Sequence, residues 1–172
     1  MQRTTKGFTI VELLITMIIA ALLLGFATPS FVDMMEKNRV RTTSQQLVEL
    51  LRLSRLIAVE HRNLVSVCGS SDSANCDNDW TSSILSVKRG EDGAADEIMA
   101  SLNVSEKVAI SKTNNNANNP NIDFRVSGWT PWDQTTFTLC PVDGKQKNAY
   151  QVTVSGSGKV KLKPNKEDQT WC

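Results

Sequence analysis

The pattern of apolar and polar positions divides the chain into stretches with different periods. Residues 1–7 (MQRTTKG) are polar and carry Arg3 and Lys6. Residues 8–28 (FTIVELLITMIIAALLLGFAT) form an apolar run of 21 with one carboxylate, Glu12. As a helix this run spans about 31 Å at roughly 1.5 Å per residue, enough for a bilayer core of about 30 Å. Gly25 and Pro29 interrupt it. A proline inside a helix removes one hydrogen bond and tends to kink it. From Ser30 to about Arg62 a helical period resumes. Leu47, Leu50, Leu51, Ser54, Ile57 and Ala58 recur at i, i+3, i+4, i+7 spacing, which makes one apolar stripe. Leu53 and Leu56 are expected to widen it. Such a stripe packs on a sheet or on another helix. Lys37, Arg39, Arg41, Arg52, Arg55 and Arg62 outnumber Glu36, Glu49 and Glu60, so the opposite face is solvated or meets acidic neighbours.

After Asn63 the period changes to alternation. Strands are predicted at 64–68, 84–88, 97–102, 107–111, 122–126, 135–140, 150–155 and 159–163, punctuated by Gly, Asn, Asp, Ser and Pro. Ser155-Gly156-Ser157-Gly158 between the last two predicts a hairpin. Residues 113–121 (TNNNANNPN) read as a polar loop. The expected class is α+β, with antiparallel sheets wrapped around the C-terminal half of a long helix. There is no internal repeat.

Composition narrows this only at the edges. At 172 residues, 40% hydrophobic and 22% charged, the chain has the means for one core and is not a disordered tail, a collagen-like fibre or a multi-span membrane protein. The charge of +1, from 19 basic and 18 acidic residues, gives no general reason to expect nucleic acid. Basic residues before the apolar run and a long polar chain after it predict a cytoplasmic N-terminus and a periplasmic body.

Glu12 is the anomaly of the run. A carboxylate within a membrane costs several kcal/mol and usually has a partner. A cleavable secretory signal fits poorly, because no small-x-small site closes the run. A cut between Gly7 and Phe8 creates an amine near Glu12 that can serve as that partner. Lys6-Gly7-Phe8-Thr9-Ile10-Val11-Glu12-Leu13 resembles the leader junction of type IV prepilins. The resemblance implies cleavage after Gly7 by prepilin peptidase, methylation of Phe8, and neutralisation of a neighbouring subunit's amine by Glu12 during assembly. Downstream, RLIAVEHRNLVSVC (55–68), Trp80, Phe124 in IDFRVSG, FTLC (137–140), VTVS (152–155) and GKVK (158–161) resemble H-type pseudopilins and FimT/FimU-type minor pilins.

That resemblance implies a type IV pilin-like fold. Its parts are a leader at 1–7, a transmembrane and filament-core helix at 8–29, an amphipathic continuation at 30–63 and a β-rich periplasmic domain at 64–172. It implies a minor pilin rather than an enzyme, needing no cofactor or metal. The protein is expected in the bacterial inner membrane and then in a pilus filament or tip. Its implied partners are other minor and major pilins, prepilin peptidase, the assembly platform and membrane lipid. A type II secretion pseudopilin shares every N-terminal feature and is the alternative.

The remaining chemistry is sparse. Cys68, Cys76, Cys140 and Cys172 all fall on the expected periplasmic side, where disulfides persist. Four cysteines allow three pairings. Cys68–Cys76 with Cys140–Cys172 is favoured, and Cys68 with Cys140 stays open. A zinc site lacks C-x-x-C spacing and has only His61 to draw on. His61 reads as a helix-end residue rather than a base. Asp72, Asp77, Asp79, Glu91, Asp92, Asp96 and Glu97 lack the spacing of a calcium loop.

From Lys145 to Lys166 there are six lysines and no acid. Lys159, Lys161 and Lys163 alternate with Val160 and Leu162, so a strand places them on one face, with Lys166 beyond. Some FimT-type pilins resemble this in a Gly-Arg-x-Arg tail that binds DNA. Here lysine replaces arginine in Gly158-Lys159-Val160-Lys161, which loses the bidentate fork. The two readings are contact with double-stranded DNA phosphates and protection of an exposed edge strand. Trp129, Trp132 and Trp171 offer stacking surfaces or core packing. Loss of Arg3 and Lys6 leaves 17 of the 19 basic side chains against 18 acidic ones.

Overall fold

A computed structural model describes residues 7–90, 94–114, 120–131, 133–165 and 170–172, without the side chains at 24, 26–30 and 114. The chain divides into two compact units, Met1–Glu36 and Lys37–Cys172. Helix α1 runs over Ile10–Glu60. It begins at an N-cap, Thr9. The Glu12 N–H donates to Thr9 Oγ1 at 3.3 Å, and the Leu13 N–H to the Thr9 carbonyl at 3.2 Å. Pro29 lies inside the helix and has no N–H to give the Gly25 carbonyl.

In the first unit the apolar side chains that are described stand exposed on all sides of the helix, Ile10, Leu14, Ile18 and Leu22 among them. Among the described residues no helix is long and apolar enough to cross a membrane. The apolar run of the sequence passes through positions 24 and 26–30, whose side chains lie outside the description.

In the second unit α1 has one buried stripe: Val40, Ser44, Leu47, Leu51, Ser54 and Ala58, widened by Val48, Leu50 and Ile57. Leu53 and Leu56 do not widen it. They are 41% and 58% exposed, because the roughly 100° step per residue turns them about 130° and 170° from the centre of the Leu47–Leu51–Ser54–Ala58 line, farther than Leu50 or Ile57. Two serines let the helix approach its sheet closely. Ser44 Oγ returns to the Val40 carbonyl at 2.7 Å. Ser54 Oγ bonds the Leu50 carbonyl and Ser86 Oγ, both at 2.7 Å.

Eight strands follow: β1 Val65–Ser70, β2 Ser83–Lys88, β3 Glu97–Asn103, β4 Val108–Asn114, β5 Ile122–Phe124, β6 Thr135–Pro141, β7 Tyr150–Val154 and β8 Val160–Pro164. They form two antiparallel four-stranded sheets, ordered β3-β2-β1-β5 and β4-β6-β7-β8. A short 3-10 turn, Gln146–Asn148, has no counterpart in the predicted elements. Strand β4 takes in Thr113 and Asn114, so the expected polar loop is shorter at its start; 115–119 lie outside the described residues. One core joins the helix stripe to both sheets through Val65, Val67, Phe124, Phe137, Leu139 and Val152. Burying each such side chain contributes about 1.5–3 kcal/mol.

Helix α1 ends where Arg62 adopts φ 49° and the Asn63 N–H reaches back to the Ala58 carbonyl at 3.2 Å, a Schellman-type stop. The β7–β8 hairpin closes with Gly158 at φ 73° and its N–H on the Ser155 carbonyl at 2.7 Å. A Cβ on Gly158 would lie 2.0 Å from the Gly128 carbonyl oxygen and 2.9 Å from Arg55 Nε. Left-handed backbone and close approach both demand glycine there. Gly158→Ala is therefore expected to lower the stability of Lys37–Cys172 by about 2–4 kcal/mol, read by denaturant unfolding.

Candidate functional site

The N-terminal constellation is a backbone end followed by a capped helix. Phe8 is 82% exposed, Gly7 and Glu12 are exposed, and Thr9 fixes the first turn. Arg3 and Lys6 lie outside the described residues. Thr9 is the N-cap of α1, a role the sequence reading missed although a threonine just before an apolar helical run is its signal. A carboxylate in the first turn also suits the helix dipole.

The cysteines are joined as Cys68–Cys76 and Cys140–Cys172. No cysteine is left as thiol, so none remains for a nucleophile paired with His61 or for zinc. The first bridge pins a loop over the outer face of β1, where Cys68, Leu85 and Val87 make a small second core. The second ties the C-terminal tail to β6. Gln146 clamps the same tail: its Oε1 accepts from the Trp171 and Cys172 N–H groups at 2.6 and 2.9 Å, and its Nε2 donates to the Cys172 carbonyl at 2.5 Å.

The acidic loop is occupied by its own hydrogen bonds. The Asn75 amide on Asp72, with the Asn75 and Ala74 N–H groups and Ser70, holds that carboxyl well below the usual range. Asp77 is lowered chiefly by the Ser71 hydroxyl and then by the Asp79 and Ser71 N–H groups. Asp79 is lowered chiefly by the Thr81 hydroxyl. Asp96 and Glu97 pair with Arg89 and Lys88, each at 2.6 Å; Glu91 and Asp92 lie outside the described residues. Among the described residues no group of three or more His, Cys, Asp or Glu is placed to hold a metal.

Lys112 is the one lysine shown clearly shifted: burial lowers it to about 8, against the pull of Asp133 and Asp123. It sits over the Trp80 ring at 4.4 Å and donates to the Pro120 carbonyl. Its work is packing, since Trp80 in turn lies 5.2 Å from Phe137.

The C-terminal lysines separate. Lys145 pairs with Asp143 at 2.8 Å, so the acid-free stretch has an acid at its edge. Lys161 and Lys163 are exposed on β8, with Leu162 half-buried between them and Val160 buried before them. The register sets Lys161 beside Thr153 and Thr136, and Lys163 beside Gln151 and Thr138. Lys163 lies 5.6 Å from the Trp171 ring. Lys159 precedes the strand and lies exposed by the helix. Lys166 and Trp132 lie outside the described residues, and Trp129 is 57% exposed.

With this geometry, residues 43–158 match the family described as Type II transport protein GspH. The chain belongs to that family. Residues 2–28 match the prokaryotic N-terminal methylation motif. The fold is that of type IV pilin-like proteins. It is similar to the type IV minor pilin FimU of Pseudomonas aeruginosa, with TM-score 0.58 at 19% identity over 76% of this chain and 92% of FimU. It is also similar to the minor pseudopilin EpsH from the Type 2 Secretion System of Vibrio cholerae, with TM-score 0.57 at 13% identity over 73% of this chain and 97% of EpsH. No curated protein matches the sequence. This GspH-family chain is thus a pilin or pseudopilin.

The lowered carboxyls of the acidic loop give a pH dependence. Their stabilising effect is complete above about pH 4, the unfolded range, and is lost as pH falls below that toward their folded values. Protection of the amides in residues 70–81, relative to unfolded chain at the same pH, is expected to fall on acidification below about pH 4, before that of the core strands β6 and β7.

Proposed function

We propose that this chain is a minor pilin of a bacterial type IV pilus. The carrying observation is the exposed apolar first unit of α1, headed by Gly7, Phe8 and Glu12 and matched by the methylation motif. Prepilin peptidase cuts between Gly7 and Phe8 and the new Phe8 amine is methylated. Before assembly residues 8–29 lie in the inner membrane, with 64–172 in the periplasm. The helix then leaves lipid for a bundle of other minor and major pilins on the assembly platform, which exchanges one apolar surrounding for another. Glu12 meets the amine of a neighbour, a charge pair strongly favoured where water is absent. The product is a small complex that primes the filament and caps its tip.

The match over residues 43–158 favours a second reading, an H-type pseudopilin of a type II secretion machine. Genes beside this one separate the two: pilins and an adhesin, or secretion components. A further reading adds DNA. It is supported by Lys161 and Lys163 on the exposed face of β8, opposite threonine and glutamine rather than acid.

Glu12→Ala and Glu12→Gln are both expected to leave cleavage intact and to reduce the protein in sheared filaments about tenfold or more, the effect of losing roughly 1.4 kcal/mol of pairing. Glutamine keeps the size of the side chain and loses its charge. Normal incorporation of Glu12→Gln would overturn the pairing role. For the DNA reading, gel shift of duplex DNA by Lys37–Cys172 at low salt is expected to weaken steeply with added salt and to vanish in a Lys159/Lys161/Lys163 triple alanine variant.

A further inference from the structure

Arg55 is held in a way that ordinary surface arginines are not. Its Nε donates to the Gly128 carbonyl at 2.9 Å. Two glycines make room for this. Gly128, at φ 74°, would put a Cβ 3.1 Å from Val59 and 3.0 Å from Arg55 Nε, and the Gly158 backbone presses on the same carbonyl. The loop and hairpin are stitched together by the Thr130 N–H on the Gly156 carbonyl and by Thr130 Oγ1 on the Ser155 carbonyl, both at 2.9 Å.

Beside this clamp lies a groove of about 460 Å³ between α1 and the β7–β8 turn. Its walls are Arg52, Arg55 and Lys159, and its floor is Leu56, Val59 and Val160. Neither Arg52 nor Lys159 has an ion-pair partner among the described residues. Leu56 and Val59 are 58% and 46% exposed, and Val126 and Trp129 stand exposed on the loop that carries Gly128. Arginine and tryptophan around an exposed apolar patch are the composition of a protein contact. A nucleic acid backbone has nothing apolar to lay on Leu56 and Val59.

We propose that this groove receives a segment of a different pilin-type subunit, one that offers carboxylates to Arg52, Arg55 and Lys159 and an apolar side chain to Leu56 and Val59. The proposal rests on the reading of the chain as a filament subunit. Three cations with no acid among them set the charge of the occupant. The clamp on Arg55 means that little side-chain freedom is lost on binding. A second copy of this chain is the poorer fit: Asp72, Asp77 and Asp79 accept from their own neighbours, and the acids of α1, Glu36, Glu49 and Glu60, stand among Lys37, Arg39, Arg41, Arg52 and Arg55, as Glu106 stands beside Lys107.

The test places the photoreactive residue p-benzoylphenylalanine at position 59 of the full chain, in the cell that makes it, with the same residue at position 19 as a reporter of filament entry. The expected product at position 59 is a crosslink to another pilin-type subunit, mapped by mass spectrometry to a peptide with Asp or Glu beside an apolar residue. The double variant Arg52→Glu, Lys159→Glu should cut that crosslink at least about tenfold and leave the position 19 crosslinks unchanged, while Arg52→Lys, Lys159→Arg retains both. Crosslinks at 19 with none at 59 overturn the groove. So does a crosslink from 59 to a second copy or to a protein of another class, or a yield indifferent to charge reversal. Loss of crosslinks at both positions overturns the filament reading, and the groove with it.

Discussion

The structure depends on how α1 is solvated along its length. Residues of Lys37–Glu60 bury one stripe against two sheets, whereas the side chains described between Ile10 and Leu23, apolar but for Glu12 and Thr16, are exposed. A helix apolar on nearly every side is stable only where something other than water surrounds it. Under the proposed assembly, lipid and then other subunits supply that surrounding, with Glu12 as the group that tells one neighbour from another.

The second unit works differently. Its core holds a rigid body on the helix, and the surface details follow from how two backbone turns meet. Gly128 and Gly158 pack so closely that a methyl on Gly158 would lie 2.0 Å from the Gly128 carbonyl oxygen. This contact orients the Arg55 guanidinium and shapes the groove beside it. The tail is fixed by a separate device, the Cys140–Cys172 bridge with the Gln146 clamp. Both devices place charged or aromatic side chains where loop mobility would otherwise blur them.

Much of the fold was legible because burial imposes a period. All eight strands arise where alternation predicts them, and Leu47, Leu51, Ser54 and Ala58 face the core as their spacing requires. Leu53 and Leu56 were misplaced because hydrophobicity alone does not say which way a residue on a wide stripe turns. Exposed leucines on a helix look like core ones until the position of the sheet is known. The acidic loop read as free charge, since its hydrogen bonds link residues only two to six apart through geometry that composition does not reveal. Lys145 read as part of a free basic stretch because its partner Asp143 lies just outside the counted window.

The sequence by itself determined the local features: the apolar run with its one carboxylate, the strand periods and the alternation of lysines on β8. Each depends on residues a few positions apart, so spacing is sufficient. Only the tertiary structure decided that Arg52, Arg55 and Lys159 share one groove and that Gly158 lies against Gly128. Those contacts join residues as far apart as Arg55 and Gly158, and they exist only after two sheets have packed on one helix. Chain distance carries no signal of them; the packing that buries the core brings them together.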